Sequence, residues 1–462
     1  MTKDLTKGNV WKTLLLFAIP MVLGNLFQQF YNIADTIIVG RTIGAEAIGA
    51  VGVSFPIVFM QIAVSVGIGI GSSVIISQLF GAKKLKEVKK ASYTSLICTV
   101  IGGLIFTLIG EIIARPILVF LKTPEPIMLA ALDYLRVIFY GSLAVFVYNV
   151  STAIFNALGN SKAPLVFLTI STIMNIFLDI YCIVNLRMGV KGAAVATVIS
   201  QVFSALLAII YLMIKLRGID DEKIEKYFDF KLFKSISKIA LPSMLQQSFV
   251  GFGMMALQGA ANLFGTNVVA GYTAACKIDA IVILPILNLS NALATFAAQN
   301  IGAKKIERVK EGFKVSMIAS VIFCISIAIV IYNFGDVFIN MFLNDNAAAN
   351  AEVVAFGTKY LQKLFIYYIL MAVFFNTCSI LRGAGEMKSF LASSIVNMAV
   401  RIAFANIMVK HIGQSAIWYA IVAGWVVGGT ISVFKYLQGT WMEIKVIEED
   451  KETNLVEVEE GI

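Results

Sequence analysis

Asn25, Gln28, Asn32 and Asp35 follow one another at spacings of three or four within an otherwise apolar stretch, residues 14–40. On an α-helix that spacing gathers them into one polar stripe that ends in a carboxylate. A second acid, Asp179, closes the segment Asn175-Ile176-Phe177-Leu178-Asp179, in which amide and carboxylate share a helix face. Thr197 adds a hydroxyl on the next apolar stretch. Carboxylate, amide and hydroxyl oxygens suit a proton or Na⁺, because a hard cation takes oxygen ligands and two neighbouring acids are stabilised when they share one. The alternative for Asp35 is an ion pair with Arg41 at headgroup level, which would avoid most of the cost of burying the acid. The alternative for the set as a whole is a structural hydrogen-bond network that binds no ion.

Catalytic chemistries find no footing. A single histidine, His411, leaves no cluster for a metal or a triad. Cys98, Cys182, Cys276, Cys324 and Cys378 show neither metal-ligand nor paired-thiol spacing. No Gly-x-x-x-x-Gly-Lys-Ser/Thr loop is present to hold ATP. The chain is expected not to be an enzyme, and to use no cofactor beyond a coupling ion, H⁺ or Na⁺.

The elements that must position these oxygens are membrane helices. Of the 462 residues, 59% are hydrophobic and 14% charged, and the mean hydropathy is +0.85. One water-soluble core cannot bury that much hydrocarbon. The apolar runs have helical length, not the alternation of a barrel strand. Twelve spans are expected, near 14–40, 51–78, 93–114, 130–154, 164–186, 192–214, 238–262, 268–298, 314–341, 358–380, 389–410 and 415–437. Residues 1–12 lack a short apolar core followed by a small-residue cleavage site, so the first span is expected to serve as the anchor. The formal charge of +9 comes from Lys and Arg concentrated in alternate loops, above all Lys83 to Lys90 and Lys304 to Lys310. This asymmetry predicts a multi-pass membrane protein with both termini cytoplasmic, and the charge is a topology signal with no nucleic-acid partner behind it.

The two basic clusters expose a duplication, for Gln78-Leu-Phe-Gly81-Ala-Lys-Lys84 reappears as Gln299-Asn-Ile-Gly302-Ala-Lys-Lys305. Nearly the same register pairs Ala18-Ile-Pro20 with Ala240-Leu-Pro242, Tyr134-Leu135 with Tyr360-Leu361, and Gly159 with Gly385. Six spans per repeat predict two lobes related by a pseudo-twofold axis along the membrane normal. The expected organisation is a first lobe 1–214, a cytoplasmic linker 215–237, a second lobe 238–438 and an acidic cytoplasmic tail 439–462. The second half departs from the first at the acids. Leu257 falls opposite Asp35, and Arg401 opposite Asp179. Lys277 and Asp279 read as a self-neutralising structural pair inside a span. Pro20 removes a backbone hydrogen bond in the first span, which predicts a kink or hinge.

Pro20, Asp35-Thr36, Gly40, the segment Gln78 to Lys84, Gly189 to Thr197 and Arg382-Gly383-Ala384-Gly385, with twelve spans in two halves, resemble the bacterial multidrug and toxic compound extrusion (MATE) exporters over nearly the whole chain. The resemblance implies a V-shaped pair of lobes exporting cationic or amphipathic drugs against inward H⁺ or Na⁺. It also implies a first-lobe cation site made of Asp35, Asn175, Asp179 and Thr197. The substrate cavity is expected at Gln28, Tyr31, Asn32 and Asp35, and the partners are small drugs or toxic cations and membrane lipids, with the protein a monomer. Another branch of the family carries a Glu on its seventh helix, where this chain has Gln246 and Gln247, so a second-lobe cation site is not expected. A flippase for lipid-linked sugars shares the architecture but would line its cavity with several arginines, and the expected spans contain only Arg136 and Arg401. An intramembrane aspartyl protease built on Asp35 and Asp179 would need a Gly-x-Gly-Asp type segment, which neither acid has.

Overall fold

The computed structural model describes residues 3–219, 226–341 and 347–443 and is helical throughout, with no strand among them. The first half contains α1 (Val10–Thr42), α2 (Ala45–Gly81), α3 (Leu85–Phe120), α4 (Glu125–Tyr140), α5 (Ser142–Ala157), α6 (Lys162–Ile180) and α7 (Gly189–Arg217). The second contains α8 (Phe230–Asn262), α9 (Thr266–Val282), α10 (Leu284–Gly302), α11 (Ile306–Asn340), α12 (Ala347–Ile366), α13 (Tyr368–Ala384), α14 (Met387–Ile412) and α15 (Ala416–Gln438). By length and apolarity alone, eight helical runs could cross a membrane, or ten if each of two bent pairs is one span. One of those runs, residues 387–438, holds both α14 and α15, which are broken at Gly413–Ser415 and pack against each other. With α8, which is long but more polar, the fold has twelve transmembrane helices in two six-helix lobes.

The bent pairs sit at equivalent places in the repeat. α4 meets α5 at 48° and α12 meets α13 at 51°. The first bend needs its glycine, because a Cβ on Gly141 would lie 2.6 Å from Val198 Cγ2 of α7. Helix ends follow ordinary capping: Asn9 accepts from Lys12 N at the start of α1, and Asp229 accepts from Lys231 N and Leu232 N at the start of α8. The basic clusters were expected in loops, yet Lys86 to Lys90 and Arg308 to Lys310 occupy the first turns of α3 and α11, which begin at Leu85 and Ile306. Helix α3 turns Ile101, Leu104, Leu108 and Ile112 outward, and α11 turns out Ile322, Ile325 and Ile329, all exposed. These helical-period stripes are surfaces for lipid.

The lobes meet through small residues. Along α2, Gly67 and Gly71 let α8 approach so closely that added Cβ atoms would sit 2.7 Å from Met244 N and 2.7 Å from Ile236 O. This is the small-x-x-x-small packing of helices in lipid. At the end carrying the basic clusters, α2 and α10 cross at the repeated motifs. A Cβ on Gly81 would lie 1.9 Å from Gln299 O, and one on Gly302 would lie 2.0 Å from Gln78 O. The two buried glutamines satisfy the seam reciprocally, Gln78 Nε2 donating to Gly383 O at 3.0 Å and Gln299 Nε2 to Ala157 O at 2.7 Å. The N-terminal segment seals it. Leu5 is fully buried, its N–H donates to Gln299 Oε1, and Arg308 donates to the carbonyls of Leu5, Lys7 and Gly8. Burial disfavours the charge on Asp4, but hydrogen bonds from Lys83 and Thr6 hold that carboxyl down at about 2.

Candidate cation and substrate site

Between the lobes lies a cavity of about 720 Å³ that reaches Val74 and Thr295, one turn from the two glutamines of the seam, and is lined by α1, α2, α4 to α8, α10, α13 and α14. That volume is in the range of a site for a drug-sized molecule. Helix α1 presents Asn25, Gln28, Tyr31, Asn32 and Asp35 to it, one face of the helix, as a three- and four-residue spacing requires. Thr197, Gln246 and Gln247 also line it. Asn25 donates to Asn288 Oδ1 of the neighbouring α10 at 2.7 Å. Pro20 lines the same space, and α1 is helical without interruption through it.

Asn175 and Asp179 stand behind this wall and not on it. Both are buried on α6, Asp179 completely. With its amide nitrogen facing the acid, Asn175 donates to Asp179 Oδ2 at 2.8 Å, and its oxygen accepts from Thr197 N at 3.3 Å. Thr197 Oγ1 in turn lies 3.0 Å from the Tyr31 hydroxyl on α1. Asp35 is within electrostatic reach of Asp179. One oxygen of each acid, Asp35 Oδ1 and Asp179 Oδ1, is buried with no hydrogen-bond partner. An orphaned carboxylate oxygen in a membrane interior needs a proton or a cation. Three elements therefore converge on one pocket of oxygens: α1 brings Asp35, α6 brings Asn175 and Asp179, and α7 brings Thr197. Two acids, an amide and a hydroxyl fit a proton or a monovalent hard cation. Among the described residues no group of three His, Cys, Asp or Glu side chains could hold a heavier metal.

Two features of this pocket had no clear sequence signal. Immediately after Asp179 the helix widens into a π turn, Tyr181–Asn185, a distortion that recurs at functional sites. Tyr134 on α4 packs into the same region, within electrostatic reach of both acids. In the second lobe the matching region holds Tyr272, Tyr360, Asp279 and Arg401, with Leu257 buried in the apolar core. Asp279 was expected to pair with Lys277. The structure also brings it within electrostatic reach of Arg401 on α14. The Arg41 side chain, the alternative partner of Asp35, lies outside the described residues.

The MatE family model matches residues 20–181 and again residues 242–407, one copy in each half. The chain belongs to the MATE family. A probable multidrug resistance protein, YpnP of Bacillus subtilis, is 32% identical over 96% of this chain and 99% of its own length. Solved structures of a MATE in a bent and in a straight conformation each match at 25% identity with a TM-score of 0.87. They cover 95% of this chain and 97% and 98% of theirs. The chain is accordingly a multi-pass multidrug efflux transporter of the MATE family.

Proposed function

We propose that this MATE protein is an antiporter that exports cationic or amphipathic drugs in exchange for inward H⁺ or Na⁺, and that Asp35, Asn175, Asp179 and Thr197 bind the coupling ion. The observation that carries this reading is the pair of orphaned acid oxygens on α1 and α6, one on the cavity wall and one directly behind it. A cation entering there changes the charge of the wall that a drug touches, so ion and drug compete through Asp35. The positive clusters at the starts of α3 and α11 orient the seam and both termini toward the cytoplasm of a bacterial inner membrane. The cavity then faces outward. The unit boundaries that follow are a first lobe 1–214, a linker 215–237, a second lobe 238–438 and a tail 439–462. Helix α7 runs on to Arg217 and α8 starts at Phe230, so this linker is shorter as non-helical chain than as sequence. The deciding experiment is efflux from energised vesicles with Na⁺ and pH gradients imposed separately. Efflux that follows neither gradient rejects antiport.

Pro20 supplies the hinge in this scheme. It leaves the carbonyl of Leu16 without its helical donor, and a MATE similar to this chain has been solved in a bent and in a straight conformation. Pro20→Ala restores that hydrogen bond, removing a defect that costs roughly 3 kcal/mol in a helix interior. Turnover should fall several-fold while equilibrium drug affinity is unchanged. Transport at the wild-type rate in this variant, measured beside its binding isotherm, would remove the hinge from the mechanism.

A further inference from the structure

Of the described residues that line the cavity, two carry a formal charge, Asp35 on α1 and Arg382 in the last turn of α13. The expected span 358–380 stopped short of Arg382, so the sequence placed no arginine here. Instead α13 continues to Ala384 and ends on Gly385, whose φ of 85° is the left-handed cap that turns the chain away. Arg136, one of the two arginines expected inside spans, is absent from the cavity lining and pairs with Glu111 at 3.0 Å. Arg401 does not line the cavity. The guanidinium at the cavity floor is that of Arg382.

Its surroundings hold it in place without neutralising it. Nη2 donates to Asn291 Oδ1 at 2.7 Å, and the guanidinium carbon lies 5.9 Å from the centre of the Phe390 ring. The next residue, Gly383, is tied to the seam through Gln78. Among the described residues no carboxylate forms an ion pair with Arg382. The negative end of α13 and the ring face compensate part of the charge. Four of the five guanidinium N–H groups are not taken by Asn291, in a fork geometry that matches a carboxylate. Arg382 shares the cavity with Asp35, the acid proposed above to take the coupling ion.

We infer that Arg382 is an anion subsite that makes this transporter selective for zwitterionic amphiphiles, molecules whose cationic end meets Asp35 and whose carboxylate meets Arg382. The inference rests on the exporter reading and adds the charge pattern of the cargo. A purely cationic ligand is repelled at the floor, whereas a zwitterion is matched at both ends. When a proton or Na⁺ occupies the first-lobe site, the cationic end loses its partner first and the anionic end last.

The test uses ciprofloxacin, a zwitterion, and its methyl ester, a cation of nearly the same shape, with ethidium as a plain cation. Binding of each to purified protein is measured for wild type, Arg382→Gln and Arg382→Lys. Wild type should prefer the acid over the ester by tenfold or more. Arg382→Gln should abolish the preference by weakening the acid while sparing the ester and ethidium, and Arg382→Lys should keep part of it. Equal weakening of all three compounds in Arg382→Gln would make the residue structural and overturn the subsite. A wild-type acid-to-ester ratio near one overturns it without any variant, so a misfolded Arg382→Gln does not shelter the idea. If ethidium binds and neither quinolone does, the exporter reading stands and the subsite fails. If wild type binds none of the three, the exporter reading itself fails.

Discussion

In proteoliposomes carrying Asp179→Asn, drug release should no longer respond to Na⁺ or to pH, whereas Arg401→Gln should keep the response of the wild type. The two residues occupy equivalent places in the repeat, so the comparison separates the lobes. Asp179 is buried with one oxygen unpartnered, and the other accepts from Asn175 at 2.8 Å. An asparagine there keeps an acceptor for Asn175 and removes the charge, so folding is preserved while the cation loses its ligand. Coupling between two ligands on one protein is typically about 1–3 kcal/mol, roughly a 5- to 150-fold shift in affinity. That whole shift should vanish in Asp179→Asn and in Asp35→Asn. At the second-lobe position a guanidinium repels any mobile cation, and neutralising it leaves the first-lobe oxygens untouched. The measurement is drug affinity of purified protein titrated with Na⁺ and with pH. A response lost in Arg401→Gln and retained in Asp179→Asn would move the coupling site to the other lobe.

The second large effect is expected at the seam. Gly302→Ala or Gly81→Ala puts a methyl about 2 Å from the carbonyl oxygen of Gln78 or Gln299, and the obstacle is backbone, which has no rotamer to yield. Helices α2 and α10 must separate, which strains the buried bonds from Gln78 to Gly383 O and from Gln299 to Ala157 O. Overpacking and the loss of these bonds each cost about 1–3 kcal/mol. The strain belongs to the closed seam, so the variants should populate an open one. In a background without the native cysteines, Leu5→Cys is the reporter, because Leu5 is fully buried beneath the seam. Its thiol should be nearly unreactive with closed helices and become reactive when Gly302→Ala is added. Gly259→Ala, whose new Cβ meets nothing within 4 Å, is the control and should leave both reactivity and melting temperature unchanged. Equal thiol protection in Gly302→Ala and the control would show that the glycine contact does not hold the seam.

The class of the protein was legible before any coordinates, because solvent selects composition. A chain this apolar, cut into helix-length runs, has to reside in lipid, and the repeated Gln-x-x-Gly-Ala-Lys-Lys motif disclosed a duplication. The polar stripe on α1 could likewise be read from spacing, since a helix fixes which residues share a face. Partnership between elements could not be read in the same way. That Thr197 bridges Tyr31 and Asn175, that Asp279 looks toward Arg401, and that Gly81 and Gly302 lie against each other's glutamine partners are contacts between helices far apart in sequence. Helix ends were the other blind spot. Hydropathy marks where lipid stops and not where the backbone hydrogen bonds stop, so a span drawn to residue 380 left Arg382 in a loop. The helix carries on for one more turn to the glycine cap at Gly385, and that turn, packed against α10 and tied to α2, is what sets a guanidinium at the floor of the cavity.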